Sequence, residues 1–283
     1  MIDKPLGITS FDVLRQLKRI TCIKKMWHSW TLDPLASGLL LVAFWNSTKL
    51  IPYLEKDKKT YEFELNFTWW TDSYDAETKV HEANREQLQK LSSELNVEYL
   101  DLLLQKNFHW KISQIPPSYS AIKQWGKRVV DRIRAWEKVV LKSRSSTIYA
   151  IKILKFHFPF FSLQATVSAG TYIRSIAHDF GKLVWSWAYI TKLRRTWIWN
   201  LNLNDEVQQI NEFNLEKTLN QKKVFYNIPE ISLNLGQIQT LEYGQELENI
   251  KKYKNWIYFH YQGNQVSHVV NIEWNFMKLK RKI

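Results

Sequence analysis

Cysteine, glycine and long apolar stretches are all scarce in this sequence of 283 residues. Cys22 is its single cysteine, which excludes an intramolecular disulfide and any zinc site built from clustered cysteines. The longest apolar run covers residues 39–45, far short of the roughly 20 residues that a membrane-spanning helix needs. The chain turns polar at Asp3, so we predict no secretory signal peptide. We therefore expect a reduced, cytoplasmic protein with no membrane segment.

The glycine shortage has a counterpart in tryptophan. The chain contains 8 glycines and 14 tryptophans. Glycine thus makes up about 3% of the chain, where about 7% is usual. The two residue types together take up close to the share that glycine alone normally has.

The charge of the chain is strongly positive. Lys and Arg total 40 against 27 Asp and Glu, a formal net charge of +13. Such an excess favours a polyanionic partner, most commonly a nucleic acid, because Lys and Arg neutralise its phosphates. The alternative is a basic, solvated surface without a partner, since net charge bears on association rather than on fold.

The hydropathy pattern predicts an α+β protein with antiparallel-type strands. Thr9 or Ser10 begins a predicted helix over 11–21, and Asn84 with Gln87 resembles a capping box before a helix over 85–104. Alternation predicts a strand from Tyr61 to Phe67. The other predicted elements are a buried segment at 39–44, strands at 147–158 and 163–168, a helix after Gly170-Thr171, and strand-like runs at 256–261 and 266–272.

Seven short motifs occur in a recognisable order. They are residues 3–10 (DKPLGITS), His28 with 31–38 (TLDPLASG), 48–49 (TK), 59–62 (KTYE), 114–117 (QIPP) with 120–123 (SAIK), 170–175 (GTYIRS) and 193–196 (LRRT). The ordered set resembles the bacterial tRNA pseudouridine synthase B family, which isomerises the T-loop uridine at tRNA position 55. The resemblance covers about residues 2–200. The C-terminal part resembles that family's small PUA-like domain only loosely.

The resemblance implies an architecture and a partner. We expect a pseudouridine-synthase-like catalytic domain, with a mixed or antiparallel sheet, over residues 1–225. A small β domain of PUA-like type, which binds RNA, would occupy 226–283. The implied partner is the T-arm of tRNA, and we expect a monomer. The isomerisation exchanges no electrons and no atoms, so the family reaction calls for neither a cofactor nor a metal.

Three residues match the catalytic positions of the family. Asp33 matches the carboxylate that acts near C1′ of the target nucleotide, as nucleophile or as base. Arg174 matches the arginine that pairs with this carboxylate and keeps it ionised. Tyr61 matches the tyrosine that stacks on the extruded base. Each also has an ordinary structural interpretation: a turn residue, a surface arginine and a core tyrosine.

Four more residues match substrate-binding positions. Tyr172 and Leu193 match residues that line the base pocket, although each alone would be assigned to the core. His28 matches the histidine that fills the space left by the flipped uridine. Lys4 belongs to the first motif, whose role resembles support of the active-site loop more than chemistry.

Tryptophan stands where the family has glycine. Trp27 and Trp30 flank the catalytic motif, and the same replacement recurs at 45, 110, 136, 185, 187 and 199, with further candidates at 69 or 70, 256 and 274. Indoles at glycine positions should strain the fold and obstruct the catalytic loop. Three explanations compete: UGA codons that mean glycine but are translated as tryptophan, a decayed copy, and a genuine tryptophan-rich variant. Damage confined to one residue type favours the first.

Other functions are possible on the same scaffold. A non-catalytic tRNA-binding or tRNA-folding module would need no Asp33, Tyr61 and Arg174 together. A guide-RNA-dependent synthase of the same superfamily would need partner proteins, and nothing in the sequence demands them. No helix-turn-helix or zinc-finger pattern supports a DNA-binding protein.

Overall fold

A computed structural model describes residues 1–54, 58–82, 84–120, 123–124, 127–135, 137, 139–249, 254 and 256–283. Ala121 and Ile122 of the fifth motif, together with Trp136, lie outside these residues. Within the described chain, no helix combines the length and the apolar character that crossing a membrane requires.

Strands dominate the described chain. They are β1 (Ile2–Lys4), β2 (Met26–Ser29), β3 (Ala36–Phe44), β4 (Lys58–Asn66), β5 (Trp69–Trp70), β6 (His81–Glu82), β7 (Trp110–Gln114), β8 (Lys123–Gln124), β9 (Lys127–Arg128), β10 (Arg144–His157), β11 (Phe160–Ser168), β12 (Tyr189–Ile198), β13 (Leu201–Asn202), β14 (Leu247–Glu248), β15 (Trp256–Gln262), β16 (Gln265–Glu273) and β17 (Phe276–Lys282).

The helices are α1 (Ser10–Thr21), α2 (Arg85–Glu94), α3 (Val97–Asn107), α4 (Val129–Arg134), α5 (Ile173–Leu183), α6 (Gln221–Val224) and α7 (Leu235–Glu242). A 3₁₀ segment, Trp45–Tyr53, follows β3. These elements confirm the predicted α+β class.

The central sheet has the strand order β1-β3-β12-β4-β11-β10-β7, with β2 paired to β3 and β13 to β12. Every pairing in it is antiparallel except that of β12 with β3, so the sheet is mixed. Parallel neighbours need a long connection, and here about 145 residues separate the two strands. The second and last motifs of the sequence thereby lie side by side, with Leu193 opposite Ala36.

Local sequence signals account for the first helix. Thr9 is the N-cap of α1, and it forms a capping box with Asp12. Val13, Leu14 and Leu17 of this helix are buried, as the spacing of three and four residues predicts. The helix thus fixes the segment between the first two motifs.

The predicted single helix over 85–104 is wrong: the chain forms two helices, α2 and α3. Leu95 ends α2 in an extended conformation, and Asn96 caps α3 by accepting from the Tyr99 amide. Asn84 caps α2 by accepting from Glu86 rather than through the predicted capping box with Gln87. A second asparagine cap within the apolar periodicity was the signal that the sequence reading missed.

The main core lies between the central sheet and α5. Phe67, Phe161 and Phe180 pack against one another with ring centroids 5.5–6.1 Å apart, and all three are fully buried. Apolar residues of α5 face the sheet because their spacing gives the helix one strongly apolar side. This packing fixes the N-terminal turn of α5 against the sheet, where Arg174 lies.

A second sheet forms at the C-terminal end, in the order β14-β17-β16-β15. The predicted runs at 256–261 and 266–272 are β15 and β16, while the highly charged β17 was not predicted. Phe259 and Val269 of this sheet pack against Leu50 and Leu54 near the central sheet. The division of the chain at 225/226 stays a prediction.

Most of the described non-glycine residues in the left-handed backbone conformation are tryptophans. Among the described non-glycine residues, 8 have positive φ. Six of these are tryptophans: Trp30, Trp45, Trp110, Trp185, Trp199 and Trp274. A bulky L-residue in this region is an outlier, and the conformation costs about 1–2 kcal/mol for each residue with a Cβ atom.

Candidate active site

A cleft on the central sheet brings most of the predicted residues together. Its cavity of about 530 Å³ lies where β12, β4, the turn before β3 and the start of α5 meet. Five of the seven predicted residues line it: Asp33, Tyr61, Tyr172, Arg174 and Leu193. Another cavity of about 540 Å³ lies elsewhere, between the 3₁₀ segment and residues 218–225, and contains none of the seven.

Lys4 holds the turn that carries Asp33 from behind. Its Nζ donates to the carbonyls of Pro5, Ile8 and Pro34 at 3.0, 2.6 and 3.3 Å, and its side chain is fully buried. Burial lowers the pKa of Lys4 to about 8, while the nearby Asp33 charge opposes the shift. Lys4 therefore lies beneath the cleft rather than in it, as the resemblance suggested.

Ser10 fixes the same turn from the other side. Its hydroxyl donates to the Leu32 carbonyl at 3.1 Å and accepts from the Leu32 amide at 2.9 Å. Ser10 is buried at the start of α1. The first motif thus supplies two side chains that hold the residues on either side of Asp33: Ser10 binds Leu32 and Lys4 binds Pro34.

Arg174 joins two carboxylates. Its Nη2 lies 2.9 Å from Oδ2 of Asp33, and its Nη1 lies 3.0 Å from Oδ2 of Asp75. Nη1 also donates to the carbonyls of Ser73 and Tyr119. Asp75 is completely buried, whereas the Asp33 side chain is 41% exposed to the cleft. The arrangement holds one carboxylate at the cleft surface and a second one behind the guanidinium.

Asp75 is itself held rigidly. Its Oδ1 accepts from the Ser73 hydroxyl at 2.6 Å and from the Glu77 amide at 3.0 Å. Its Oδ2 has no hydrogen-bond donor, because the Nη1 hydrogens of Arg174 point to the two carbonyls. The Asp75–Arg174 contact is therefore mainly ionic, and it fixes the guanidinium by charge.

The electrostatic surroundings of Asp33 act in opposite directions. Burial raises the pKa of the Asp33 carboxyl, Arg174 opposes this shift, and the Asp75 charge adds to it. Burial likewise raises the pKa of Glu77, whose Oε1 accepts from the Leu35 amide at 2.7 Å. Asp33 is thus a carboxylate that the fold renders more basic than an ordinary one, which suits a nucleophile or a base.

Three of the predicted residues that line the cleft are apolar or aromatic. Tyr61 on β4 and Leu193 on β12 lie on neighbouring strands. The backbone of Tyr172 is held by Gln114, which donates to its carbonyl at 3.1 Å and accepts from its amide at 3.2 Å. Burial raises the pKa of Tyr172. These three side chains form walls suited to a flat ring.

His28, like Lys4, does not line the cavity. It lies on β2, with its ring stacked on Trp27 at a centroid distance of 5.7 Å. Its Nδ1 is buried without a hydrogen-bond partner. Burial and the nearby Arg195 charge lower the pKa of His28, which favours a neutral ring.

The indole of Trp30 lines the cleft without closing it. Its ring lies 5.3 Å from the Lys59 ammonium, in a cation–π contact. The expectation that tryptophans would block the catalytic loop is therefore not met, because the cavity remains open beside Asp33.

Four charged residues of the cleft region were not predicted as site residues: Lys59, Asp75, Glu77 and Arg195. Asp75 and Glu77 lie in the loop after β5, outside every quoted motif, and reach Arg174 and Leu35 only through tertiary contacts. Arg195 lies within a quoted motif, two residues after Leu193. Residues two apart on a strand share a face of the sheet, so the motif could have indicated that Arg195 lies on the same face as Leu193.

Comparison with known proteins assigns the chain to a family. Residues 18–173 match the model of the TruB family pseudouridylate synthases (N-terminal domain). Over 236 residues, the chain is 37% identical to a tRNA pseudouridine synthase B of Clostridium acetobutylicum, covering 82% of this chain and 79% of the relative. The chain belongs to the TruB family of pseudouridylate synthases. A Flavobacterium johnsoniae tRNA pseudouridine synthase B, 36% identical, is matched over 90% of its length.

Solved structures agree with the TruB-family fold. A structure of an H/ACA ribonucleoprotein bound to a substrate RNA containing 2′-deoxyuridine covers the whole chain with a TM-score of 0.69 and 17% identity. A Cbf5-Nop10-Gar1 complex covers 99% with a TM-score of 0.65 and 18% identity. At this identity they bear on the fold alone. The predicted family, the fold class and the enzyme class, an RNA-modifying isomerase, are confirmed, and nothing in the comparisons supports the non-catalytic alternative.

Proposed function

We propose that this TruB-family chain isomerises the uridine at position 55, in the T-arm of tRNA, to pseudouridine. One observation carries the proposal: the Asp33 carboxylate is open to a cleft and is held 2.9 Å from a buried Arg174 that Asp75 fixes from behind. A scaffold that only bound RNA would gain nothing from this arrangement. The tRNA pseudouridine synthases B at 37% and 36% identity support the choice of substrate class.

Asp33 acts at C1′ of the target nucleotide, as nucleophile or as base on the sugar. The C1′–N1 bond breaks, the uracil turns, and C1′ bonds to C5; C5 then loses its proton and N1 gains one. Arg174 keeps Asp33 ionised against the desolvation that raises its pKa. The raised pKa makes Asp33 a better nucleophile or base than a solvated aspartate.

The target base occupies the cleft after it leaves the RNA stack, at a cost of a few kcal/mol. Tyr61 stacks on the ring, and Leu193 and Tyr172 enclose it. Lys4 supports the turn of Asp33, and the neutral ring of His28, beside the cleft, takes the space that the flipped nucleotide vacates.

The positive charge of the chain serves the RNA backbone. Residues 1–225 are the catalytic domain, and residues 226–283, which include the basic strand β17 (FMKLKRK), are a PUA-like module that contacts tRNA. The enzyme works as a cytoplasmic monomer without metal or cofactor.

The test is conversion of an unmodified tRNA transcript labelled with tritium at C5 of its uridines. Isomerisation at one site releases one tritium per tRNA, because the C5 proton is lost. A transcript with cytidine at position 55 is the matched control. We expect release from the first transcript and none from the second. Equal release from both would reject the T-loop assignment, and binding without release would reject the activity.

A further inference from the structure

Arg195 is a buried guanidinium without an anionic partner among the described residues. It is 1% exposed. Its Nε donates to the Leu39 carbonyl at 2.8 Å, and its Nη2 donates to the carbonyls of Leu39 and Trp30 at 2.6 and 2.8 Å. Tyr61 lies opposite it on β4 and partly offsets the lowering of its pKa by burial. Neutral acceptors therefore hold a full positive charge in the protein interior, at the edge of the cleft.

Strand register places this charge beside Tyr61. Arg195 pairs directly with Tyr61 across β12 and β4, and with Gly38 across β12 and β3. Directly opposed residues share a face of the sheet. Gly38 has φ +100°, and a Cβ there would collide with the Arg195 backbone. The pairing of β12 with β3 and β4 thus fixes the position of Arg195.

The charge is felt by its neighbours. Arg195 contributes to lowering the pKa of Lys4 and of His28. Both shifts are led by burial; at His28 the Arg195 charge adds to the lowering of the pKa, whereas at Lys4 the charges of Asp33 and Glu77 oppose it. A positive potential that the protein leaves uncompensated favours negative charge that develops nearby.

We propose that Arg195 is a positioning residue that, through Tyr61, holds a positive charge against the detached uracil ring. This inference rests on the proposed isomerisation. When the C1′–N1 bond breaks, the bonding electron pair leaves with N1, so the free ring is negatively charged. The charge persists until C5 bonds to C1′, after which C5 releases a proton and N1 accepts one. Arg195 stabilises that anion and fixes the Tyr61 hydroxyl beside it.

The experiment measures single-turnover conversion and tRNA binding for Arg195→Met and Arg195→Lys. Methionine keeps much of the length and removes the charge, while lysine keeps the charge and loses the planar fork. We expect Arg195→Met to slow the chemical step by about 10²–10³-fold with tRNA affinity changed by less than about threefold. Arg195→Lys should recover part of the rate.

Arg194→Lys is the matched control. Arg194 is the next residue on β12, but it binds Asp3 through Nη1 and Nη2 at 3.1 and 2.7 Å. Its side chain is 40% exposed. We expect this variant to retain the wild-type rate.

A double-mutant cycle with Tyr61→Phe separates action through Tyr61 from a structural effect. Where Tyr61 lacks its hydroxyl, Arg195→Met should cost far less than in the wild type. Full additivity, or an equal loss of affinity and rate, would overturn the inference. Wild-type protein that is inactive on tRNA would instead refute the proposed function, while active wild type with unaffected Arg195 variants refutes only this inference.

A separate observation, the backbone at the tryptophans, carries a second inference. Five of the seven described glycines have positive φ, and six tryptophans share that conformation. Trp185 and Trp274 are 92% and 82% exposed, so their indoles gain almost nothing from burial while their backbones remain strained. We infer from the backbone that glycine occupies these six positions in the natural protein and that UGA codons of this gene specify it.

Sequencing the gene and peptide mass spectrometry of the protein purified from its source test this assignment. We expect UGA codons and glycine masses at the six positions and at Trp27. UGG codons with tryptophan masses would overturn it. The first inference does not depend on the outcome, because Arg195 binds the carbonyl of residue 30 and not its side chain.

Discussion

Two buried arginines border the same cleft, and their surroundings are opposite. Arg174 lies between the carboxylates of Asp33 and Asp75. Arg195 donates only to backbone carbonyls and faces Tyr61 on the neighbouring strand. Burying a charge is costly unless it is compensated, so the side of Arg174 is electrostatically complete before the substrate binds. The side of Arg195 gains its anion only during the reaction. Arg174 is thus neutralised by carboxylates of the protein, whereas the charge of Arg195 is neutralised only by the anion that forms on the substrate.

Removing the carboxylate at the Arg174 side should have the largest effect. We expect Asp33→Asn to reduce turnover by about 10⁴-fold or more, as loss of a reacting group does, with tRNA binding retained. Because the fold raises the pKa of Asp33, ionised Asp33 destabilises the folded state above the ordinary carboxyl pKa. The variant should therefore also have a higher Tm at neutral pH. A lower Tm would show that the Arg174 ion pair outweighs desolvation.

Weakening the guanidinium should come next. Arg174→Lys keeps the charge but cannot reach both carboxylates in the same geometry, and we expect turnover to fall by about 10³-fold. Since Arg174 lowers the pKa of Asp33, the acidic limb of the kcat profile should move to higher pH. An unchanged limb would mean that Asp33 ionisation does not control the rate.

Removing the rear carboxylate should shift the same limb in the opposite direction. Asp75→Asn leaves Arg174 wholly to Asp33 and removes a charge that raises the pKa of Asp33. We expect the acidic limb to move to lower pH and turnover to fall by about 10²-fold, because the guanidinium loses its fixed position. If the acidic limbs of Arg174→Lys and Asp75→Asn moved in the same direction over the same pH range, Arg174 and Asp75 would not have opposite effects on the pKa of Asp33.

The Arg195 side can be disturbed through the strand next to it. Gly38→Ala places a Cβ against the Arg195 backbone in a left-handed conformation. We expect a loss of about 3 kcal/mol or more in the free energy of unfolding, measured by urea denaturation. Gly244→Ala is the control, since its φ is +80° but nothing lies within reach of an added Cβ. Equal losses in both would show that φ alone, and not the approach of β3 to β12, matters.

The smallest effect should come from Trp30, whose carbonyl Arg195 binds. In a recombinant protein made with tryptophan at position 30, Trp30→Gly removes the strain of φ +58° and leaves the carbonyl in place. We expect a gain of about 1 kcal/mol, offset in part by the lost contact of the indole with Lys59. Thermal unfolding of the two proteins measures it, and a clear loss of stability would show that the indole is part of the core.

Sequence patterns predicted the local elements best where a few neighbouring residues decide them. Thr9 caps α1, and alternation over residues 61–67 gives β4. The split of 85–104 into two helices was missed, because the apolar periodicity continues across Asn96. The strand β17 was missed because its side chains are largely charged, and only its pairing with β16 identifies it.

The candidate site divides in the same way. Asp33, Tyr61, Tyr172, Arg174 and Leu193 were predicted from motifs, and they line one cleft. Asp75 could not be predicted, because nothing local distinguishes a loop aspartate from a solvated one. His28 was predicted as a substrate-binding residue, but it lies on β2, outside the cavity.

The sequence by itself determined the family, the α+β class, the positive charge and the types of residue available for chemistry, because these depend on composition and on short patterns. Tertiary structure decided which charges compensate one another. Arg174 finds Asp75 about 100 residues away, and Arg195 finds no carboxylate among the described residues. The physical reason is that a pKa or an ion pair depends on distance and burial in space, which a linear pattern does not specify.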